Sequence, residues 1–183
     1  MSQRLAVALA VLIAAPLAAQ TASRLAPEGA PSVASVAPDG EPGVPLRVEG
    51  VVRGADGQPV AGASLYVYQT DARGYYHPDD AMGNRDPRLF ALLRSDAAGR
   101  YAFTTVRPGP YPRGGVQAHI HYEVRAAGHA DRVFELVFDD DPLVGERIRS
   151  QAARPGSFFA IRAVQPDPGG GPGRVSLDVQ LSR

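Results

Sequence analysis

From position 46 to the C-terminus the apolar residues fall into short runs rich in β-branched and aromatic side chains. The runs cover 46–54, 63–70, 89–94, 100–106, 116–126, 132–138, 158–164 and 175–181. Turn chemistry separates them: ADGQ at 55–58, DAAG at 96–99 and AAGH at 126–129. Short strands at this spacing predict an all-β fold, an antiparallel β-sandwich in a single domain over 46–183. The stretch 141–151 has room for a helical turn or two. Run 116–126 alternates most cleanly, with Val116, Ala118, Ile120, Tyr122 and Val124 set against Gln117, His119, His121, Glu123 and Arg125. Successive side chains of a strand point to opposite faces, so the first set faces a core and the second projects together. That pattern alone is equally consistent with a solvated outer face.

Residues 1–45 follow another pattern. Arg4 precedes an unbroken apolar run, Leu5 to Ala15, which Pro16 ends and which is followed by the small residues Ala18 and Ala19. These are the parts of a secretory signal peptide over 1–19, and the run is shorter than the roughly 20 residues of a membrane span. The expected location is periplasmic or secreted, with no membrane attachment after cleavage. Positions 20–45 are rich in Ala, Pro, Ser and Gly without sustained periodicity, which predicts a flexible leader.

Composition then narrows the chemistry. The 19 acidic residues balance 19 basic ones, so no global field draws the chain to nucleic acid. Every basic residue is Arg, and there is no Cys. Schiff-base lysines, thiol nucleophiles, disulfides and zinc–thiolate sites are excluded. His, Tyr, Ser, Asp, Glu and Arg remain. His119 and His121, two residues apart on a strand, are well placed to present two imidazoles to one metal ion. Tyr75, Tyr76 and His77 stand in a long loop after run 63–70, and prolines on both sides of Tyr111 stiffen the loop before the histidine strand.

Three segments, VEGVVRGADGQPVAGASLYVYQTDARGYY (48–76), SDAAGRYAFTTVRPGPYP (95–112) and AHIHYEV (118–124), together resemble the intradiol ring-cleavage dioxygenases, the protocatechuate 3,4-dioxygenase and catechol 1,2-dioxygenase family. The resemblance implies a non-haem Fe(III) held by Tyr76, Tyr111, His119 and His121 among long loops, with Tyr75 the fallback for the first tyrosine. It also implies O2-dependent cleavage of a catechol-type ring, with the tyrosinate at Tyr111 leaving to accept a proton. Phenolate oxygens suit a hard trivalent cation.

The sequence departs from the family at RPAHIH, where Val116 holds the arginine position and Gln117 the proline position. Arg113 and Gln117 are the substrate-side candidates left. The first two segments also resemble transthyretin-like and carboxypeptidase regulatory-like modules, which are exported, non-catalytic sandwiches and the alternative reading. A third arrangement, His119, His121 and Glu123 as a two-histidine, one-carboxylate centre, spans about 13 Å along one straight strand, awkward for one ion. His77 and His129 read as loop residues, DDD at 139–141 as a charged turn, and GGGPG at 169–173 as a flexible loop.

Overall fold

The computed structural model describes residues 24–79, 83 and 86–183. The expected signal peptide lies outside the described residues. Two five-stranded sheets face one another. One is ordered β1-β5-β2-β10, with β9 also paired to β2. Its strands are β1 (Val33–Ser35), β2 (Pro45–Arg53), β5 (Arg100–Val106), β9 (Gly173–Ser176) and β10 (Val179–Gln180). The other is ordered β4-β3-β6-β7-β8, from β3 (Ser64–Gln69), β4 (Leu89–Arg94), β6 (His119–Arg125), β7 (Arg132–Phe138) and β8 (Phe159–Arg162). The single described helix, α1 (Glu146–Ala152), overlaps the stretch expected to turn helically and ends one residue past it. Among the described residues no helix is long and apolar enough to cross a membrane.

The core between the sheets comes from the alternation. Val48, Val52, Leu65, Val67, Phe103, Ile120, Tyr122, Val124 and Leu136 are all shut away from solvent. A fully buried aliphatic or aromatic side chain contributes about 1.5–3 kcal/mol, so this layer holds the strands of the functional face in register.

Two expectations change. The sheets are mixed rather than purely antiparallel. The central pairs β2–β5, β3–β4, β3–β6 and β6–β7 are antiparallel, whereas β1, β8, β9 and β10 join in parallel. β8 and β9 arrive after long connections, which remove the antiparallel direction that a tight hairpin would impose. Run 175–181 is split between the end of β9 and β10, where the Asp178 side chain accepts from Val51 N at 2.9 Å.

The segment expected to be a flexible leader is packed from residue 24 onward. Val33 to Ser35 pair in parallel with Ala102 to Thr104, and Val36 and Ala37 enter the core. Arg94 donates to the carbonyls of Ala26 and Pro27, Ser64 Oγ accepts from Ala26 N at 2.8 Å, and Arg88 grips Glu41 through both carboxylate oxygens at 2.6 and 2.7 Å. Main-chain pairing and arginine hydrogen bonds order this stretch, and neither leaves a hydrophobic periodicity to read.

Candidate metal centre

The site sits where β6 leaves the core and two loops fold over its outer face. Asp71, at the end of β3, organises the first loop. Its Oδ1 accepts from the backbone N–H of Arg73 and Tyr75, and its own N–H donates to Tyr75 O at 2.8 Å. The second loop, 107–116, locks into the first. Gly109 N donates to Asp71 O at 2.9 Å, and Thr70 Oγ1 donates to Gly109 O at 3.1 Å. Contact is so close that a Cβ on Gly74, whose φ is +91°, would lie 2.0 Å from Pro110 O. One on Gly109 would lie 2.4 Å from Ala72 O. Tyr111 N then donates to Val116 O at 3.1 Å, returning the chain towards β6. Asp141, buried beyond β7, accepts from Ala118 N at 2.8 Å and fixes the start of the histidine strand.

This interlock brings four side chains together. Tyr76 Oη lies 2.6 Å from Tyr111 Oη and 2.8 Å from His121 Nε2, and His119 Nε2 lies 3.0 Å from His121 Nε2. Tyr76 is 1% exposed, whereas Tyr111 is only partly covered. His119 Nδ1 lies 2.8 Å from Gln117 O. A carbonyl only accepts, so Nδ1 carries the proton and Nε2 offers its lone pair to the cluster. The Tyr68 ring stacks on His121 at 4.3 Å and 13°, which sets the plane of that imidazole.

Burial decides the charge states. It lowers both histidines. His121, which also feels the charge of His119, is pushed down to about 3, and at His119 the bond to Gln117 opposes the effect. Burial also holds Tyr76 far above the ordinary phenol range, aided by the hydrogen bond to Tyr111, and it raises Tyr111. The cluster is therefore two neutral imidazoles and two neutral phenols until a cation draws off the phenol protons.

The structure also separates the sequence candidates. Tyr76, Tyr111, His119 and His121 converge. The Tyr75 ring packs under the Arg73 guanidinium at 5.3 Å. Gln117 is buried and meets the site through its carbonyl, while Arg113 is exposed on the loop. His119 is 4% exposed, so the outer face of β6 is not solvated as alternation alone allows; the loops cover it. Glu123 pairs with Arg125 at 3.0 Å.

The carboxylate that faces the histidines is Glu135, which the sequence reading missed. It lies opposite His121 in the β6–β7 register, with Oε1 3.6 Å from His121 Nδ1 and 3.8 Å from His119 Nε2. Cross-strand neighbours stand about 5 Å apart, whereas same-face neighbours along one strand are separated by roughly 6.6 Å. The useful signal was therefore strand pairing rather than spacing along β6. One ligand atom from each of His119, His121 and Glu135 lies within 4.8 Å of the others.

Burial raises Glu135 to about 7. A carboxyl whose folded pKa exceeds its unfolded value stabilises the fold at low pH, and that contribution is lost as pH rises through about 4.5 to 7. Glu135→Gln should therefore stabilise the metal-free protein at pH 8 by about 1–2 kcal/mol once solvent screening is allowed for. The gain should vanish near pH 5. Urea unfolding of both proteins at the two pH values checks this, and a gain that does not depend on pH would contradict it.

The chain belongs to the dioxygenase family, whose sequence model matches residues 21–171. Hydroxyquinol 1,2-dioxygenase of Nocardioides simplex is 31% identical over 185 residues, covering 85% of this chain and 61% of that protein. Catechol 1,2-dioxygenase 1 of Acinetobacter lwoffii is 31% identical over 124 residues, 58% of this chain and 40% of the relative. The chain thus spans about half the length of the curated relatives it matches. Among solved structures, the dioxygenase domain of a dioxygenase–carbohydrate-binding fusion from Streptomyces sp. SirexAA-E aligns with a TM-score of 0.62 at 27% identity. That alignment covers 81% of this chain and 86% of the domain. An Acinetobacter catechol 1,2-dioxygenase shares the fold at a TM-score of 0.66 and 24% identity, over 88% of this chain and 63% of the other. The non-catalytic module is not the favoured reading.

Proposed function

We propose that the protein is an intradiol dioxygenase that opens a catechol-type ring, with Fe(III) held by Tyr76, Tyr111, His119 and His121. The observation that carries this is the convergence of four donor atoms at 2.6, 2.8 and 3.0 Å. Two donors at right angles on one ion, each at about 2.0–2.2 Å, lie roughly 3 Å apart, so the separations fit a shared cation. Hard phenolate oxygens favour the ferric state, and the two imidazoles are already neutral. Ferric iron held there would supply a Lewis acid that makes a catechol-type ring reactive towards O2.

The side chains divide the remaining work. Tyr76, enclosed and bonded to both Tyr111 and His121, is the fixed phenol. Tyr111, partly exposed on its proline loop, is the one free to swing away and take a proton from the incoming catechol on its Oη. Gln117 holds His119 in the tautomer that binds through Nε2, and Tyr68 prevents the His121 ring from rotating. The bond between the two oxygen-bearing carbons breaks and both atoms of O2 enter the product, so catechol plus O2 gives a muconate-type diacid. The signal-like sequence at 1–19 supports action outside the cytoplasm. Fractionation of cells producing the full chain checks that location, and a purely cytoplasmic product would refute it.

The activity test is incubation of iron-loaded protein with catechol and with hydroxyquinol under 18O2. A ring-opened diacid carrying two labelled oxygens is expected. Loaded protein that consumes no O2 with either compound, or a product without both labels, would sink the proposal.

A further inference from the structure

The four donors that suit ferric iron do not use Glu135, yet its carboxylate is directed at the same two imidazoles. Glu41, Glu123 and Asp140 each pair with an arginine. Glu135 is different: among the described residues its ionic neighbours are His119 and His121 alone. Its side chain is 12% exposed, too enclosed for water to substitute fully for a counter-charge. A largely enclosed carboxylate facing two imidazoles that hold their Nε2 atoms 3.0 Å apart is short of one thing, a cation.

We propose that His119, His121 and Glu135 form a second donor set within this centre, a two-histidine, one-carboxylate triad that takes a divalent first-row metal ion without the tyrosines. Two donors bound to one ion at about 2.0–2.2 Å can be no more than roughly 4.3 Å apart. The separations of 3.0 Å between the imidazoles and 3.8 Å from His119 to Glu135 satisfy that limit, and because the three ligand atoms lie within 4.8 Å of one another, a Glu135 side-chain shift of about half an ångström closes the third pair. The strand frame makes the set rigid. His119 and His121 share a face of β6, and Glu135 is supplied by β7 at the position paired with His121. Imidazole with carboxylate is the donor combination that divalent iron, cobalt and manganese accept, and three ligands leave positions open. The trivalent ion selects the phenolates and the divalent ion selects Glu135, so the centre retains metal in either charge state. Glu123 cannot take this role, because its carboxylate is engaged by Arg125 at 3.0 Å.

The inference shares the histidines with the ferric reading but not the tyrosinates, so the two fail separately. The test is Co(II) titration of the metal-free protein, followed by calorimetry and by the visible spectrum of the bound ion. The parent, Glu135→Gln and the Tyr76→Phe/Tyr111→Phe double variant are compared. Losing even an outer-shell partner costs roughly 10–100-fold in metal affinity, so Glu135→Gln should weaken Co(II) by at least about tenfold. The double variant should bind within about threefold of the parent, since no donor of the triad has changed. Unweakened binding by Glu135→Gln, or loss of Co(II) by the double variant, overturns the proposal. If Glu135→Gln does not fold, the double variant decides alone. A parent that binds Co(II) through Glu135 but develops no ferric colour would refute the Fe(III) reading and leave the triad standing.

Discussion

His121→Ala is expected to reduce bound ferric iron from one per chain to background and to abolish the tyrosinate-to-iron absorption of the loaded protein. His121 is the hub of the cluster. Its Nε2 lies within 3.0 Å of both Tyr76 Oη and His119 Nε2, and its ring is clamped by Tyr68. The effect should come from the lost donor rather than from unfolding. His121 faces away from the core that Ile120 and Tyr122 fill on either side of it, and replacing it removes a partly buried polar ring, not a core apolar one. Tyr111→Phe should behave differently, retaining iron with an altered band, because three donors persist and the lost one is the more exposed phenol. Iron analysis and visible spectra of the two variants, beside melting curves, distinguish these outcomes. Full iron occupancy in His121→Ala would refute the ligand assignment.

Much of this site was legible in the chain. The alternation through 116–126 placed both histidines on the face opposite Ile120 and Tyr122, and those two fill the core while the loops cover His119. The order of DARGYY, RPGPYP and HIH indicated which tyrosines meet them. The resemblance named Tyr76 with Tyr75 as the fallback, and it is Tyr76 whose Oη meets Tyr111 and His121. Asp71 binds the N–H of Tyr75, whose ring packs against Arg73, a result of hydrogen bonding that no spacing rule encodes. Glu135 was invisible for a related reason. Its chemistry depends on which residue of β7 pairs with His121, and register is fixed by the whole sheet rather than by the run around Glu135.

The segment from residue 24 to 45 illustrates the opposite limit. Its composition suggested a chain that cannot offset its ordering entropy by burial. The compensation instead comes from elsewhere in the sequence. Arg88 and Arg94 supply hydrogen bonds and β5 offers a free edge, so order is a property of the partners. An unpaired edge strand is a template for another chain segment, and here the protein covers its own.

Gly74→Ala should be the most damaging small substitution outside the cluster itself. The φ of +91° costs a side chain about 1–2 kcal/mol, and the new Cβ would also lie 2.0 Å from the carbonyl oxygen of Pro110. That oxygen is backbone in a proline-stiffened loop and cannot rotate aside as a side chain could. The loops must separate by an ångström or more, which moves Tyr111 away from the 2.6 Å contact with Tyr76. A combined cost of about 3 kcal/mol is expected, lowering the melting temperature by roughly 6–12 °C for a chain of this size. Ferric binding should fall with it, since two of the four donors no longer meet. Gly128→Ala is the control. Its φ of +77° carries the same backbone penalty, but nothing lies within 4 Å of the added carbon. That variant should lose only the conformational term and keep its iron. If both variants lose stability and iron equally, the interlock between the tyrosine loops does not hold the centre together. If only Gly74→Ala loses its iron, the close approach of Gly74 to Pro110 is what sets the distance between the two phenols.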